Sequence, residues 1–105
     1  MDKIPKPLVT IIILNYNAGQ LLFDCCESIL KTSYSNFEII VVDNASIDGS
    51  HKKCKKKFEK IRLIENKKNL GYCEGNNVGI QNAKGDFIVI LNPQKKKSLF
   101  IKKRN

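Results

Sequence analysis

The sequence predicts an α/β domain built on an open, mostly parallel sheet with helices on both faces. Four short apolar runs, rich in β-branched residues, alternate with three longer segments that suit helices. Three of the runs end in polar residues that favour turns, and the connections are long enough to join parallel strands through helices. The predicted order is therefore β-α-β-α-β-α-β, in one domain, because 105 residues build no more than one modest core.

The first part of the chain supplies two strands and a helix. Residues 8–14 (LVTIIIL) are an apolar run that predicts a buried strand, and residues 15–17 (NYN) end it with turn-forming side chains. Across residues 20–31, apolar pairs recur four residues apart, which indicates one buried helix face. Residues 37–42 contain the run IIVV, which is typical of a strand buried on both faces of a parallel sheet.

The second helix follows this strand and has a thin core face. Asp48 or Ser50 is predicted to cap its N-terminus. Six lysines surround its apolar stripe, and they most often indicate a solvated face. The stripe is predicted to consist of Ile47, His51, Cys54 and Phe58.

The last predicted elements are two strands with a helix between them. Residues 61–64 form a short third strand, and residues 72–83 a third helix with small residues at Gly75 and Gly79. Lys84-Gly85 is predicted to close that helix in the C-terminal glycine pattern. Residues 86–91 (DFIVIL) form a fourth buried strand, which stops at Asn92-Pro93.

The net charge of +9 is concentrated at one end of the chain. Residues 95–105 hold six of the nineteen basic residues and no acid, which leaves the rest of the chain at +3. A charged terminal run is more often a solvated tail than a binding arm, so the body of the domain gives little support for a nucleic-acid partner. Peripheral contact of this tail with an acidic membrane stays open.

The four cysteines form neither a CxxC pair nor a metal-finger spacing with the single His51. They are predicted to be reduced, mostly buried thiols of a cytoplasmic protein. No signal peptide is expected, because the apolar run at residues 8–14 is too short and no small-residue cleavage site follows it. No segment reaches the roughly 18 apolar residues that a membrane span requires.

Polar side chains collect where the predicted strands end. Residues 15–17, 43–46 and 92–94 each follow a strand, and residues 69–77 open the third helix. The carboxyl ends of parallel strands share one edge of the sheet, which is where open α/β sheets bind ligands. Any single loop is equally well explained as a turn, because turns favour these residue types. Several such loops at one edge favour a ligand site.

The chemistry of these loops suits a nucleotide. Tyr16 offers an aromatic face to a base, and Asp43 can accept a hydrogen bond from a ring imide or a ribose hydroxyl. Neither GxGxxG nor GxxxxGK[ST] is present, which disfavours dinucleotide and P-loop sites. His51 is predicted to lie on a helix surface and Cys73 to pack in the core, and neither is predicted to be catalytic.

Four motifs together resemble family 2 glycosyltransferases, in the branch that contains rhamnosyltransferases and other bacterial or archaeal sugar transferases. The motifs are VTIIILNYN (9–17), FEIIVVDNASIDGS (37–50), NLGYCEGNNVGI (69–80) and KGDFIVILNP (84–93). The resemblance covers about residues 8–93 and implies a truncated GT-A fold whose nucleotide-sugar-binding part is residues 8–94. Residues 1–7 are predicted to be an N-terminal extension, and residues 95–105 a basic tail that matches no element of the family. The resemblance implies a nucleotide-diphosphate sugar as donor and inverting transfer to a sugar or lipid-linked acceptor. The protein is predicted to be cytoplasmic, with contact at the inner face of the membrane left open.

The resemblance also implies which residues form the site. The nucleotide would be bound by Tyr16, Asn17, Asp43, Asn44, Ser46, Gly71, Gly75, Asn76 and Asn77. Asn92-Pro93-Gln94 aligns with the family motif that holds Mg²⁺ or Mn²⁺, in which the last residue is Asp. Neutral Gln94 is a poorer ligand for a hard cation than a carboxylate.

The family's catalytic base lies beyond the last motif and has no counterpart here, so no catalytic residue is assigned and weak or absent turnover is expected. The change after Pro93 suggests a truncated or frame-shifted coding sequence. The alternative is a non-catalytic α/β interaction module whose basic tail binds acidic lipid or nucleic acid. Exposed sheet edges leave homo-oligomerisation open.

Overall fold

The computed structural model describes residues 6–94 and 99–103, and this part of the chain contains five strands and three helices. In chain order they are β1 (Val9–Asn15), α1 (Gln20–Leu30), β2 (Phe37–Asp43), α2 (Ser50–Lys57), β3 (Arg62–Glu65), α3 (Gly71–Asn82), β4 (Phe87–Leu91) and β5 (Leu99–Lys103).

The strands form one sheet in the order β3-β2-β1-β4-β5. The first four strands are parallel, and β5 pairs antiparallel with β4 at the edge. The chain runs outward from β1 to β3 and then returns to the other side of β1, so the strand order reverses between β1 and β4. The predicted open, mostly parallel sheet is confirmed.

Helices cover both faces of the sheet. Alternate side chains of each strand point to opposite faces, so an apolar run places apolar side chains on both. Ile13 and Val41 belong to the core that also contains the buried residues of α1 and Cys54 of α2. Ile12 and Ile40 belong to the second core, against which side chains of α3 pack. These four side chains have no exposed surface. The uninterrupted apolar runs of the sequence therefore serve two cores at once.

Strand β5 is absent from the predicted elements and takes up five residues of the stretch assigned to the basic tail. The segment LFIKK has only three apolar residues and lies among lysines, so its pattern is that of a charged run. Lysine is common on edge strands because it discourages pairing with other chains. Residues 95–98, 104 and 105 of the predicted tail lie outside the described residues, as do residues 1–5 of the predicted N-terminal extension.

Two details of α2 differ from the prediction. The N-cap residue is Gly49, in a left-handed conformation, and neither Asp48 nor Ser50 occupies that position. Ile47 is 92% exposed and takes no part in the core stripe, because it lies in the loop before the helix begins. Cys54 is buried as predicted, and His51 is buried as well.

The predicted glycine cap at the end of α3 is also wrong. The helix ends at Asn82, and its C-cap residue Ala83 is extended. Gly85 does not have a positive φ and instead packs against the backbone of β1. Its small size, and not its conformational freedom, is what the fold uses.

The cysteines are free thiols in the described residues. Cys26 and Cys54 are buried between α1 and α2, with their Sγ atoms 3.3 Å apart. Cys73 is exposed on α3, so the prediction that it packs in the core is wrong. Within the described part of the chain, no helix has the length and apolar character needed to cross a bilayer.

Candidate functional site

A cleft of about 190 Å³ opens at the carboxyl edge of the sheet, where the strand order reverses between β1 and β4. Open α/β sheets bind ligands at such switch points. The loops after β1, β2 and β4 and the start of α3 meet here, as the sequence predicts. The cleft is lined by Leu14, Tyr16, Asn44, Asn69, Gly71, Tyr72, Asn92 and Gln94.

A larger cavity, of about 340 Å³, lies at the opposite edge, where α1 ends and β2 begins. Its lining includes Tyr34, Phe37 and Lys60. None of the polar loops at the carboxyl ends of the strands reaches it. Volume alone therefore does not identify the site, and the convergent polar side chains favour the smaller cleft.

Two exposed tyrosines line the cleft. Tyr16 follows β1 and is 43% exposed, and Tyr72 lies in the first turn of α3 and is 47% exposed. Large exposed aromatic rings beside amide side chains can stack on a planar ligand while the amides bond to its edge. Tyr72 and Asn69 are absent from the predicted site residues. The available signal was a second tyrosine immediately after Gly71, in the motif that opens α3.

Gln94 joins the loop after β4 to the loop after β1. Its Nε2 donates a hydrogen bond to the backbone oxygen of Tyr16 at 3.0 Å. Its backbone N–H donates to Oδ1 of Asn92, also at 3.0 Å. These bonds bring together both residues of the predicted metal motif, and the two residues form one wall of the cleft.

Asn44 forms the floor of the cleft and is 2% exposed. Its Oδ1 accepts hydrogen bonds from Nδ2 of Asn66 at 2.9 Å and from the backbone of Leu70 at 3.4 Å. Its Nδ2 donates to the backbone oxygen of Gly71 at 3.1 Å. Asn44 therefore fixes the start of α3 against the end of β2.

Asp43 lies beneath the cleft and does not line it. Its carboxylate is 1% exposed and accepts hydrogen bonds from Nδ2 of Asn15 at 2.8 Å and from the hydroxyl of Ser46 at 2.7 Å. The backbone N–H of Ser46 donates to the second oxygen at 2.9 Å. Both oxygens are thus used to shape the loop between β2 and α2. Contact of Asp43 with a nucleotide stays a prediction.

His51 is buried between two carboxylates, so the prediction of a helix-surface position is wrong. Its Nδ1 lies 3.5 Å from Oδ1 of Asp43, and its Nε2 lies 3.2 Å from Oε1 of Glu65. Asp43 and Glu65 are register partners at the ends of β2 and β3. The helical position of His51 one turn before Cys54 indicated burial, but the pairing of the two strands was needed to show its partners.

Asn17 and Ser46 connect the loops after β1 and β2. Asn17 has a left-handed backbone (φ 52°), and its Oδ1 accepts hydrogen bonds from the backbone of Ile47 at 2.8 Å and of Asp48 at 3.2 Å. The hydroxyl of Ser46 accepts a hydrogen bond from the backbone of Asn17 at 2.8 Å. Neither residue lines the cleft, and both hold its supporting loops in place.

The predicted residues of α3 have different surroundings. Gly75 is buried, and a Cβ atom there would lie 2.6 Å from Leu14 and 2.9 Å from Asn44, so glycine allows α3 to approach the cleft floor. Asn76 is 4% exposed, and neither polar atom of its amide has a hydrogen-bond partner in the described structure. Asn77 is exposed. Gly71 alone of the predicted residues on this helix lines the cleft.

Asp48 connects the N-terminal ends of α1 and α2. Burial acts to raise the pKa of its carboxyl, but hydrogen bonds from the backbone and hydroxyl of Ser50 and from the backbone of Gly19 outweigh it. A smaller contribution comes from the charge of His51, and the pKa of Asp48 is lowered overall. The ionised carboxylate therefore stabilises this loop.

We expect acid to weaken this contribution. A folded-state pKa below the unfolded value gives stability that is present above the unfolded pKa and is lost as the pH falls through the folded pKa. The free energies of unfolding of the wild type and Asp48→Asn should therefore converge as the pH falls below about 4. Urea denaturation of both proteins at several pH values measures this difference. A difference that stays constant on acidification contradicts the prediction.

The donor groups in the cleft do not fit a divalent cation. Mg²⁺ and Mn²⁺ favour carboxylate oxygens, and none of the eight lining residues is acidic. Among the described residues, no group of three or more His, Cys, Asp or Glu side chains is arranged to hold a metal ion. Of the predicted metal residues, Asn92 accepts a hydrogen bond at Oδ1 from the backbone N–H of Gln94, and Gln94 donates from Nε2 to the backbone oxygen of Tyr16.

Comparison with known proteins gives a consistent match over most of the chain. The family model described as Glycosyl transferase family 2 matches residues 10–93. The glycosyltransferase GlyG of Streptococcus pneumoniae serotype 4 is 36% identical over 87 residues, which are 80% of this chain and 29% of that protein. The putative teichuronic acid biosynthesis glycosyltransferase TuaG of Bacillus subtilis is 31% identical over 94 residues, which are 87% of this chain and 37% of that protein. The chain thus spans about a third of these relatives.

Solved structures show the same fold. A mannosyltransferase from Pyrobaculum calidifontis, in complex with GDP-Man and Mn²⁺, has a TM-score of 0.76 and 26% identity, over 85% of this chain and 28% of that one. The 1-349 segment of S. aureus TarS, in complex with UDP-GlcNAc, has a TM-score of 0.75 over 81% of this chain and 26% of that one. Its identity is 23%, so it supports the fold alone.

Proposed function

The chain belongs to glycosyl transferase family 2, and from this premise we propose that residues 8–94 bind the donor, a nucleotide-diphosphate sugar. The observation that carries the proposal is the position of the cleft. It lies at the switch point between β1 and β4, and its walls combine two exposed tyrosines with four amide side chains. Such walls suit the planar base and the hydroxyls of a nucleoside.

Most of the predicted site residues fall into two groups under this proposal. Tyr16, Asn44 and Gly71 line the cleft and would contact the ligand, together with Tyr72 and the amides of Asn69, Asn92 and Gln94. Residues of the second group support the loops from within: Asn17, Asp43 and Ser46. Gly75 permits the close approach of α3, and Asn76 has amide atoms free to bond with a ligand that reaches it.

The reaction that we propose is inverting transfer. A hydroxyl of a sugar or lipid-linked acceptor attacks the anomeric carbon of the donor, the bond to the nucleoside diphosphate breaks, and the acceptor proton passes to a base. We assign that base to none of the described residues, because no carboxylate or histidine lines the cleft. We therefore expect donor binding, with little turnover, from this chain.

The names of relatives suggest in which process the protein acts. One of them is named for teichuronic acid biosynthesis, and we propose a role in making cell-envelope polysaccharide at the cytoplasmic face of the membrane. The alternative, an interaction module with a free basic tail, has less support, because Leu99–Lys103 pairs with β4 in the sheet.

Titration with nucleotides tests donor binding. We expect UDP, GDP or dTDP to shift the amide NMR signals of Tyr16, Asn44 and Tyr72 while leaving that of Tyr34, at the opposite edge, unchanged. Loss of a stacking ring costs about 1–3 kcal/mol, so Tyr16→Ala should weaken binding by about 5- to 150-fold. Tyr34→Ala is the matched control and should bind as the wild type does. An absence of shifts with all three nucleotides at millimolar concentration contradicts the proposal.

A further inference from the structure

Among the described residues, those that line the cleft of the proposed function carry no formal charge. Its eight lining residues include no Asp, Glu, Lys, Arg or His. Hard divalent cations bind through carboxylate oxygens, and one or two carboxylates are the usual minimum that a protein supplies. Asparagine and glutamine oxygens are neutral, so they supply no charge that would offset the removal of water from the ion.

The bond made by Gln94 depends on an amide at this position. Its Nε2 donates to the backbone oxygen of Tyr16 at 3.0 Å. A carboxylate has no hydrogen to donate and would be repelled by that carbonyl oxygen. A metal-binding acid and the present amide therefore perform incompatible tasks at residue 94.

The register of the sheet shows what this bond holds in place. Ile13 and Leu91 are partners in the β1–β4 pair, and Tyr16 and Gln94 each lie three residues beyond them. The hydrogen bond thus closes the gap between two strand ends as they diverge into loops. It fixes the backbone of Tyr16, whose exposed ring forms one side of the cleft.

We infer that the cleft binds its nucleotide without a divalent cation, and that Gln94 is a positioning residue that holds Tyr16 in place of the metal-binding acid. This inference rests on the proposed function, since it concerns the same ligand. The affinity comes from the base and hydroxyls of the nucleoside, which the neutral walls can stack on and hydrogen-bond.

Calorimetric titration of the full chain with UDP, GDP and dTDP tests the first part, once in EDTA and once with excess Mg²⁺ or Mn²⁺. The Kd of the best nucleotide should agree within about twofold between the two buffers, a difference well under 1 kcal/mol. Binding that strengthens tenfold or more with the cation, a gain of about 1.4 kcal/mol, overturns the inference and leaves the proposed function standing. An absence of binding in both buffers overturns the proposed function, and the inference with it.

An isosteric substitution tests the role of Gln94. Gln94→Glu keeps the size of the side chain but removes the donor, and we expect binding in EDTA to weaken about tenfold, with partial recovery in Mg²⁺. Gln81→Glu makes the same change on the exposed surface of α3 and should leave binding unchanged. Thermal denaturation of both variants separates loss of fold from loss of binding. If Gln94→Glu binds in EDTA as tightly as Gln81→Glu, Gln94 does not position the site.

Discussion

Gly85→Ala is expected to lower the free energy of unfolding by about 3 kcal/mol, at the upper end of the cost of overpacking a core. The added Cβ would lie 2.5 Å from the backbone nitrogen of Thr10 and 2.9 Å from the carbonyl oxygen of Leu8. Both atoms belong to backbone around the start of β1, which lies between β2 and β4 in the sheet. Neither atom can move without disturbing the pairing of three strands.

The same substitution would disturb a network of hydrogen bonds at the amino edge of the sheet. The hydroxyl of Thr10 accepts from the backbone of Gly85 at 2.8 Å and donates to Oε2 of Glu38 at 2.6 Å. Thr10 is fully buried, so the loss of these bonds leaves polar groups without water. The steric and polar costs therefore add in the same direction.

Urea denaturation of Gly85→Ala and Gly49→Ala measures this effect. Gly49 has a left-handed backbone (φ 76°) and open space around it, so alanine there costs about 1–2 kcal/mol from conformation alone. We expect Gly85→Ala to be the more destabilised of the two proteins. An equal or smaller loss at Gly85 would show that β1 can shift to admit the methyl group.

Asp43→Ala is expected to cost about 3–5 kcal/mol of the free energy of unfolding, a large share of the 5–15 kcal/mol typical of a domain. The substitution removes the acceptor for the amide of Asn15 and for the hydroxyl and backbone N–H of Ser46. It also leaves the buried imidazole of His51 without one of its two carboxylate neighbours.

The matched control is Asp24→Ala, which removes an exposed carboxylate bonded only to the side chain of Gln20 at 2.9 Å in the described structure. We expect a change of about 0.5 kcal/mol or less there. Chemical denaturation of both variants, monitored by circular dichroism, gives the comparison. Similar stabilities of the two proteins would show that the network around Asp43 contributes little.

Substitution of Asp43 also distinguishes support of the loop from direct contact with the nucleotide. The carboxylate supports the loop and does not line the cleft, so Asp43→Ala should weaken nucleotide binding mainly through that loop. A folded Asp43→Asn protein that keeps the loop but loses all nucleotide binding would instead support the predicted direct contact.

The patterns of the sequence are sufficient to predict most of the fold. The runs at β1, β2 and β4 are apolar at consecutive positions, which a strand achieves only when both of its faces are buried. The edge at which the polar loops meet follows from the direction of parallel strands. Strand β5 could not be predicted because its lysines give the segment the pattern of a charged tail. The role of Gly85 could not be predicted either, because the sequence does not show whether a glycine is needed for its small size or for its backbone conformation.

The sequence does not show which polar residues line the cleft and which support its loops. Asp43 and Tyr16 both follow a strand, yet one is 1% and the other 43% exposed, and only the tyrosine lines the cleft. The sequence pattern around a polar residue is the same whether its side chain bonds to a neighbouring loop or faces a ligand. His51 illustrates the point, because its partners come from two strands that are adjacent only in the folded sheet.

The sequence by itself determined that this protein is an α/β domain whose carboxyl edge gathers asparagines, an aspartate and a tyrosine, because apolar runs and the turn residues that follow them are patterns of neighbouring positions in the chain. The tertiary structure decided the strand order, which puts β4 beside β1 and makes the cleft. It also decided that Gln94 bonds to Tyr16 and that Asp43 is enclosed, because hydrogen-bond partners distant in sequence are chosen only when the strands pair.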